Sequence, residues 1–170
     1  ALDALANLGT PNALRTRFAL VYDPKTPASL VARALPALGR EGTLPPNDLE
    51  GFFHNASPAI RAAALLSLNP KKRLPDDVKL AVIDRLEDKA PEVRRAAIEM
   101  VAQLGLRASV TKLLALANEP DYRTEATLAL TALPDPQAFP IYLAAIQDRS
   151  PELRRRGEAA LLAVRDSVLP

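Results

Sequence analysis

A four-residue phrase, in which proline is followed by any residue, an apolar residue and arginine, constrains the fold of this chain more than any other feature. Its copies begin at Pro58, Pro91, Pro120 and Pro151. Proline suits the first turn of a helix, because its fixed φ is already helical and its missing N–H would have no intrahelical partner there. Each copy leads into a segment rich in alanine and leucine, so the phrase predicts a repeated helix start.

The copy at Pro91 defines the helix most completely. One apolar face follows a period of about 3.6 residues, and it consists of Val93, Ala97, Met100, Val101 and Leu104. Gly105 is a typical helix stop. Three residues after the arginine of each copy stands a small residue, which predicts close contact between helices: Ala64, Ala97, Ala126 and Gly157.

A fifth, looser copy begins at Pro27, where Val31 occupies the arginine position. Repeat units therefore start near residues 27, 58, 91, 120 and 151, with spacings of 31, 33, 29 and 31, after a partial unit over residues 1–26. In that partial unit, residues 1–8 are predicted to be the end of one helix and residues 11–21 the next. Pro36 is expected to kink or shorten the helix of the looser copy.

A second apolar segment follows each start, at residues 45–53, 75–86, 107–118 and 136–147. Each unit is therefore a predicted helical hairpin. One hairpin cannot bury its apolar face alone, so neighbouring hairpins must share a core, as they do in solenoids. The sequence predicts an all-α solenoid of about five hairpins that forms a single domain over residues 1–170.

Composition supports helices and leaves little room for catalysis. Hydrophobic residues make up 48% of the chain but aromatic residues only 4%, which favours close-packed helices over sheets. There is no cysteine, His54 is the one histidine, and no phosphate-binding glycine loop occurs. His54 is interpreted as a residue of a helix end or loop, and we expect no catalytic residue, metal or cofactor. No apolar run is long enough to span a bilayer, and the compartment is left open.

Basic runs raise the question of nucleic-acid binding. They lie at residues 71–73, 94–95 and 154–156, but the net charge is only +2 and acidic residues such as Glu92 and Glu152 interrupt them. Few aromatic residues are available to stack on bases. The sequence therefore argues against nucleic acid as the partner.

The repeated arginine has a structural interpretation. A cation in the first turn of a helix is opposed by the helix dipole, at a cost of about 0.3–1 kcal/mol, so its recurrence predicts a compensating acid in the preceding loop. Asp88 and Asp148 each lie three residues before a repeat proline, Glu119 precedes Pro120, and Asn55 takes this place in the first copy. We predict a ladder of charge-assisted hydrogen bonds made by Arg61, Arg94, Arg123 and Arg154.

These phrases resemble a known family. The segments SPAIRAAAL (57–65), PEVRRAA (91–97) and SPELRRR (150–156) look like HEAT repeats, in the short bacterial form also found in phycobilisome lyases. The resemblance covers nearly the whole chain and implies a right-handed superhelix of the armadillo/HEAT type, with the arginine helices outside and the second helices lining a concave surface.

In such proteins the concave surface usually binds other proteins. The resemblance thus implies a non-catalytic scaffold for a protein partner or for a neighbouring domain of the same chain. On this carry-over, the candidate binding residues are Asp77, Asp84, Arg85, Lys112, Gln137, Tyr142 and Gln147.

Two alternatives stay open. The segments LPDPQAFPIYL (133–143) and ALLAVRD (160–166) are similar to HEAT regions of large exported bacterial dehydrogenase-like proteins that carry a c-type haem domain. This resemblance implies that the chain is an accessory region of a larger enzyme. The resemblance to phycobilisome lyases implies a lyase-type module as another form of the same alternative. Neither end resembles a polar capping repeat, so the chain is expected to be a segment of a longer protein. A nucleic-acid-binding solenoid is the third hypothesis.

Overall fold

The computed structural model describes residues 11–41 and 44–168, and all regular structure within these two ranges is helical. Ten α-helices follow one another in this part of the chain: α1 (Pro11–Tyr22), α2 (Ala28–Glu41), α3 (Pro46–Phe52), α4 (Pro58–Leu65), α5 (Asp76–Asp84), α6 (Pro91–Gln103), α7 (Val110–Ala117), α8 (Arg123–Ala132), α9 (Phe139–Ala145) and α10 (Pro151–Val168).

The predicted second helix of each hairpin is present. These helices are α3, α5, α7 and α9, and short 3₁₀ turns extend three of them at Arg85–Glu87, Arg107–Ser109 and Pro136–Ala138. Helix α1 matches the segment predicted at residues 11–21, whereas the helix predicted at residues 1–8 lies outside the described residues. The hairpin pattern inferred from periodicity is confirmed.

The chain divides into two compact units, Ala1–Ala97 and Ile98–Pro170, with the division inside α6. In the first unit α2 packs against α1 and α4, while α3 packs against α4 and α5. In the second unit α8 packs against α7, α9 and α10, and α9 also packs against α10. The organisation of residues 1–97 and 98–170 as one domain remains a prediction.

The small residues of the repeat lie where helices approach each other, as predicted. Ala64, Ala97 and Ala126 are completely buried. Gly157 of α10 is also buried, and a Cβ atom there would lie 2.9 Å from the Cβ of Ala145 at the end of α9. A larger side chain at these positions would force the helices apart.

One helix starts later than the sequence predicts, and another continues through a proline that was expected to kink or shorten it. Helix α8 begins at Arg123 rather than at Pro120, because Tyr122 has a non-helical backbone (φ −126°, ψ −2°) and its side chain is buried. Helix α2 is not shortened at Pro36 but runs through it. The packing of Leu35 and Leu38, both completely buried, offsets the hydrogen bond that the proline cannot donate.

Gly105 ends α6 as predicted. Its φ of 68° lies in the left-handed region, its N–H donates to Ala102 O over 3.2 Å, and Leu106 N–H donates to Val101 O over 2.9 Å. This pair of bonds is the Schellman motif. Because only glycine adopts this conformation without strain, α6 depends on Gly105 for its end.

We expect Gly105→Ala to lower the free energy of unfolding by about 1 kcal/mol. A Cβ atom at Gly105 would meet nothing within 4 Å, so the cost comes from the backbone alone. Gly105→Asn is the control, since asparagine tolerates the left-handed region, and urea denaturation of the three proteins measures the difference. Equal destabilisation by alanine and asparagine would contradict the backbone explanation.

Candidate functional site

The loops before three of the repeat helices share one turn. Asn55, Asp88 and Asp148 each stand three residues before the proline of a repeat, and the Oδ1 atom of each accepts a hydrogen bond from the N–H two residues later, over 2.9, 2.9 and 2.7 Å respectively. Such turns are characteristic of asparagine and aspartate. The recurring side chain thus directs the backbone into the helix that follows.

Arg61 and Asp88 form a bidentate ion pair in the first unit. Arg61 Nε donates to Asp88 Oδ2 over 2.9 Å, and Nη2 donates to Oδ1 over 2.7 Å. Only 14% of the Arg61 side chain and 5% of the Asp88 side chain are exposed. The third guanidinium nitrogen, Nη1, donates to Asn55 O and Ala56 O over 2.8 and 3.2 Å. Arg61 therefore connects the loop of its own repeat with the loop of the next.

A second arginine faces the same carboxylate. Arg85 Nη1 lies 3.8 Å from Asp88 Oδ2 and donates to Phe53 O over 3.0 Å. These groups border an open depression of about 410 Å³, which His54 and Asp84 also line. Arg61, Arg85 and Asp88 thus form a charged cluster in which both arginines donate to main-chain carbonyls and face one carboxylate.

The other arginines of the predicted ladder make different contacts. Arg94 Nε donates to Leu86 O over 3.1 Å. Arg154 Nη1 donates to the main-chain oxygens of Asp148 and Arg149 over 2.8 and 3.0 Å, whereas the Asp148 carboxylate accepts from Ser150 N–H. The predicted carboxylate partner is thus replaced by carbonyls at Arg154. Arg123 is exposed at the start of α8, and a ladder along the whole chain remains a prediction.

The environment of Asp88 shifts its acidity. Burial by itself raises the pKa of Asp88, but the hydrogen bonds from Arg61 and from Ala90 N–H, together with the charges of Arg61 and Arg85, outweigh burial and lower the pKa below its usual value. A carboxylate whose pKa is depressed on folding stabilises the folded state above its unfolded pKa of about 4. That stabilisation is lost as the pH falls through the folded-state pKa.

A comparison of the wild type with Asp88→Asn tests this linkage. We expect the wild type to be more stable at pH 7 and the difference in free energy of unfolding to shrink as the pH is lowered from about 5 towards 2. Asparagine keeps the turn but carries no charge. Urea denaturation across this range measures the difference, and a difference independent of pH would show that the charge of Asp88 contributes nothing.

The candidate concave residues do not share one environment. Tyr142 is completely buried: its hydroxyl donates to Leu130 O over 3.1 Å and accepts from Asp135 N–H over 3.0 Å, and burial raises its pKa. The prediction of Tyr142 as a binding residue is therefore wrong, since this side chain joins α8 to the turn before α9. Arg85 is partly buried in the Asp88 cluster, and Lys112 is half-buried. The fully exposed members of the set are Asp77, Asp84, Gln137 and Gln147.

The basic run at residues 154–156 makes intramolecular contacts. Glu152 pairs with both Arg155 and Arg156, over 2.5 and 2.6 Å, while Arg154 binds loop carbonyls. Glu152 thus offsets one of the three positive charges of residues 154–156. The argument against nucleic-acid binding is not tested by these contacts and remains a prediction from the sequence.

An aromatic cluster on α1 and α3 was missed by sequence reasoning. The rings of Phe18 and Tyr22 lie 4.9 Å apart between centroids, and those of Tyr22 and Phe52 lie 5.9 Å apart. Phe18 is 39% exposed and Tyr22 47% exposed. The signal was available, because Phe18 and Tyr22 are spaced i, i+4 in a chain with only seven aromatic residues.

The hydroxyl of Tyr22 holds this cluster in place by donating to Asp48 Oδ2 over 3.0 Å. Partial burial, this hydrogen bond and the negative charge of Asp48 raise the pKa of Tyr22 to about 12. The Tyr22 hydroxyl, which is protonated at neutral pH like that of any tyrosine, therefore keeps its proton to a higher pH than usual.

Consecutive helical hairpins, with the same side-chain turn before three of the repeat helices, define a repeat protein of the α-solenoid class. A family model described as HEAT repeats matches residues 46–131, which is half of the chain, so the chain belongs to the HEAT-repeat family. A solved structure of a designed armadillo repeat protein is similar in fold, with a TM-score of 0.67 at 14% sequence identity, covering 96% of this chain and 91% of that one. No curated protein matches the sequence.

None of the helices described between residues 11 and 168 has both the length and the apolar character needed to cross a bilayer. Among the same described residues, no three histidine or carboxylate side chains are grouped so as to hold a metal ion.

The helical repeat fold itself is typical of protein-interaction scaffolds.

Proposed function

We propose that this HEAT-repeat chain is a non-catalytic scaffold that binds a protein partner or a neighbouring domain of the same chain. The observation that carries the proposal is the aromatic cluster of the exposed Phe18 and Tyr22 with the half-buried Phe52. Aromatic residues are enriched at the centres of protein interfaces, where they contribute large contact areas at a small cost in side-chain entropy. The hydrogen bond from Tyr22 to Asp48 fixes one ring before binding, which lowers that cost further.

Burial of the cluster would provide a substantial part of a binding free energy. Complete burial of a single large apolar side chain contributes about 1.5–3 kcal/mol. Phe18 and Tyr22 have 39% and 47% of their surfaces still available, so each would contribute a fraction of that amount. The cluster supports an interface of moderate affinity rather than a catalytic pocket.

Quantitative affinity capture tests the proposal. The wild type, the double variant Phe18→Ser with Tyr22→Ser, and the control Leu162→Ser are each used as bait with an extract of the source cells. Leu162 is 67% exposed on α10, in the second unit, so it matches the loss of apolar surface at a different place. We expect a partner to be retained by the wild type and the control and lost by the double variant.

Circular dichroism spectra and thermal unfolding verify that all three baits are folded. Equal retention of every captured protein by the wild type and the double variant would contradict a role for the aromatic cluster. Equal loss with Leu162→Ser would also contradict it, since the effect would then follow general surface hydrophobicity.

A further inference from the structure

A small apolar pocket opens beside the basic loop of residues 71–73. Its volume is about 100 Å³, and its floor consists of four leucine side chains that are each less than 5% exposed: Leu44, Leu49, Leu68 and Leu74. Leu44 lies just before α3, Leu49 lies within α3, and Leu68 and Leu74 lie in the loop that follows α4. The pocket therefore depends on the folded arrangement of the first unit. Asn69 and Lys72 form part of its rim.

The basic loop is held at this rim by two hydrogen bonds. Asn69 Oδ1 accepts from Lys71 N–H over 3.0 Å, and Asn69 O accepts from Lys72 N–H over 3.0 Å. Lys71, Lys72 and Arg73 are all exposed. Three exposed cationic side chains therefore follow one another in a loop with a defined turn, and Lys72 among them lines the apolar opening.

The nearest acidic residues neutralise only part of this charge. Asp76 pairs with Lys79 over 2.8 Å, and it also lies close enough to Arg73 for that charge to contribute to lowering the Asp76 pKa. Asp77 is exposed, and its Oδ1 accepts from Val78 N–H. Lys72 at the rim, with the exposed Lys71 next to it in the loop, thus gives the opening a positive character.

We propose that this pocket and its basic rim bind an acidic peptide segment of a partner protein, with one aliphatic side chain of the peptide inserted between the four leucines. The size supports an aliphatic anchor, because a cavity of about 150 Å³ accepts a benzene ring and this one is smaller. The charge supports acidic flanking residues, since opposite charges at the rim of an interface favour encounter and suppress partners of the wrong charge.

The residues that line this pocket do not include Phe18, Tyr22 or Phe52, and a defined peptide tests the pocket without any assumption about the aromatic cluster. The probe is a fluorescein-labelled peptide with one leucine between two pairs of glutamates. Fluorescence anisotropy measures its binding to the full chain at low ionic strength. A second peptide with alanine in place of the leucine is expected to bind at least about tenfold more weakly, because it lacks the buried side chain.

Two protein variants separate the roles of charge and pocket. The double variant Lys71→Glu with Lys72→Glu is expected to weaken binding of the leucine peptide at least about tenfold and to remove most of its salt dependence. Leu74→Phe, which places a larger side chain in the floor, is expected to abolish the preference for leucine over alanine. The matched control is Lys25→Glu, a charge reversal at an exposed lysine of the first unit.

Saturable binding with both expected losses, and with no loss in the control, supports the site. Absence of saturable binding up to about 1 mM peptide would overturn the proposal, as would equal affinity for the leucine and alanine peptides. An equal effect of Lys25→Glu would show non-specific attraction and would also overturn it. If Leu74→Phe does not fold, the surface double variant and the alanine peptide still decide the result.

Discussion

Replacing Asp88 with alanine is expected to lower the free energy of unfolding by about 3 kcal/mol, as measured by urea denaturation at pH 7. The variant would leave the Arg61 guanidinium, which is only 14% exposed, without its bidentate partner. It would also remove the acceptor of Ala90 N–H. A charge left unpaired in a largely buried site is poorly hydrated, so water replaces the lost carboxylate only in part.

Asp148→Ala is the matched control for this variant. Asp148 forms the same turn in a later repeat, with its carboxylate bonded to Ser150 N–H, and the residue is exposed. We expect a loss of about 1 kcal/mol, the usual contribution of one hydrogen bond. Equal losses for Asp88→Ala and Asp148→Ala would mean that the bond from Arg61 contributes nothing beyond the turn.

Gly39→Ala is the second variant expected to have a large effect, a loss of about 2–3 kcal/mol. A Cβ atom at Gly39 would overlap the carbonyl oxygen of Ser67 and approach its Cβ and carbonyl carbon. These atoms belong to the main chain or lie next to it, so they cannot move aside without separating α2 from α4. Thermal and urea denaturation both measure the loss.

Gly51→Ala provides the control for Gly39→Ala. Gly51 lies in α3, is exposed, and has nothing within 4 Å of the position a Cβ atom would take. Because alanine favours helix over glycine, this variant is expected to be neutral or to stabilise the protein by up to about 1 kcal/mol. Destabilisation of similar size at Gly39 and Gly51 would contradict the close contact described at Ser67.

The helical hairpins could be predicted from sequence because the repeat states the same pattern several times. Proline at a helix start, a small residue at the contact and glycine at the stop act locally, and each produces its effect with little help from the rest of the chain. Packing overrides local preference at two positions. Tyr122 is buried in a non-helical conformation, which delays α8, and buried leucines on either side of Pro36 keep α2 continuous.

The site was less predictable because its contacts join residues far apart in sequence. Asp88 was predicted to pair with an arginine, but its spacing suggested the arginine of the helix that follows it, Arg94. Its partner in the structure is Arg61, which is 27 residues away in the preceding repeat. Tyr142 looked like a surface residue because a helical period does not reveal that its hydroxyl finds partners inside the core. The pocket of four leucines depends on three separate segments, and periodicity places none of them together.

The double role of Asp88 also limits how repeats of this kind can be shuffled. Asn55 and Asp88 occupy equivalent positions, and either side chain can form the turn that opens a repeat. Only the aspartate can receive a charged bidentate pair from the arginine of the repeat before it. A repeat whose loop has asparagine at this position cannot form an ion pair with an arginine of the preceding repeat. A repeat whose loop has aspartate there can form one. The stability of such a protein therefore depends on the order of its repeats as well as on their individual sequences.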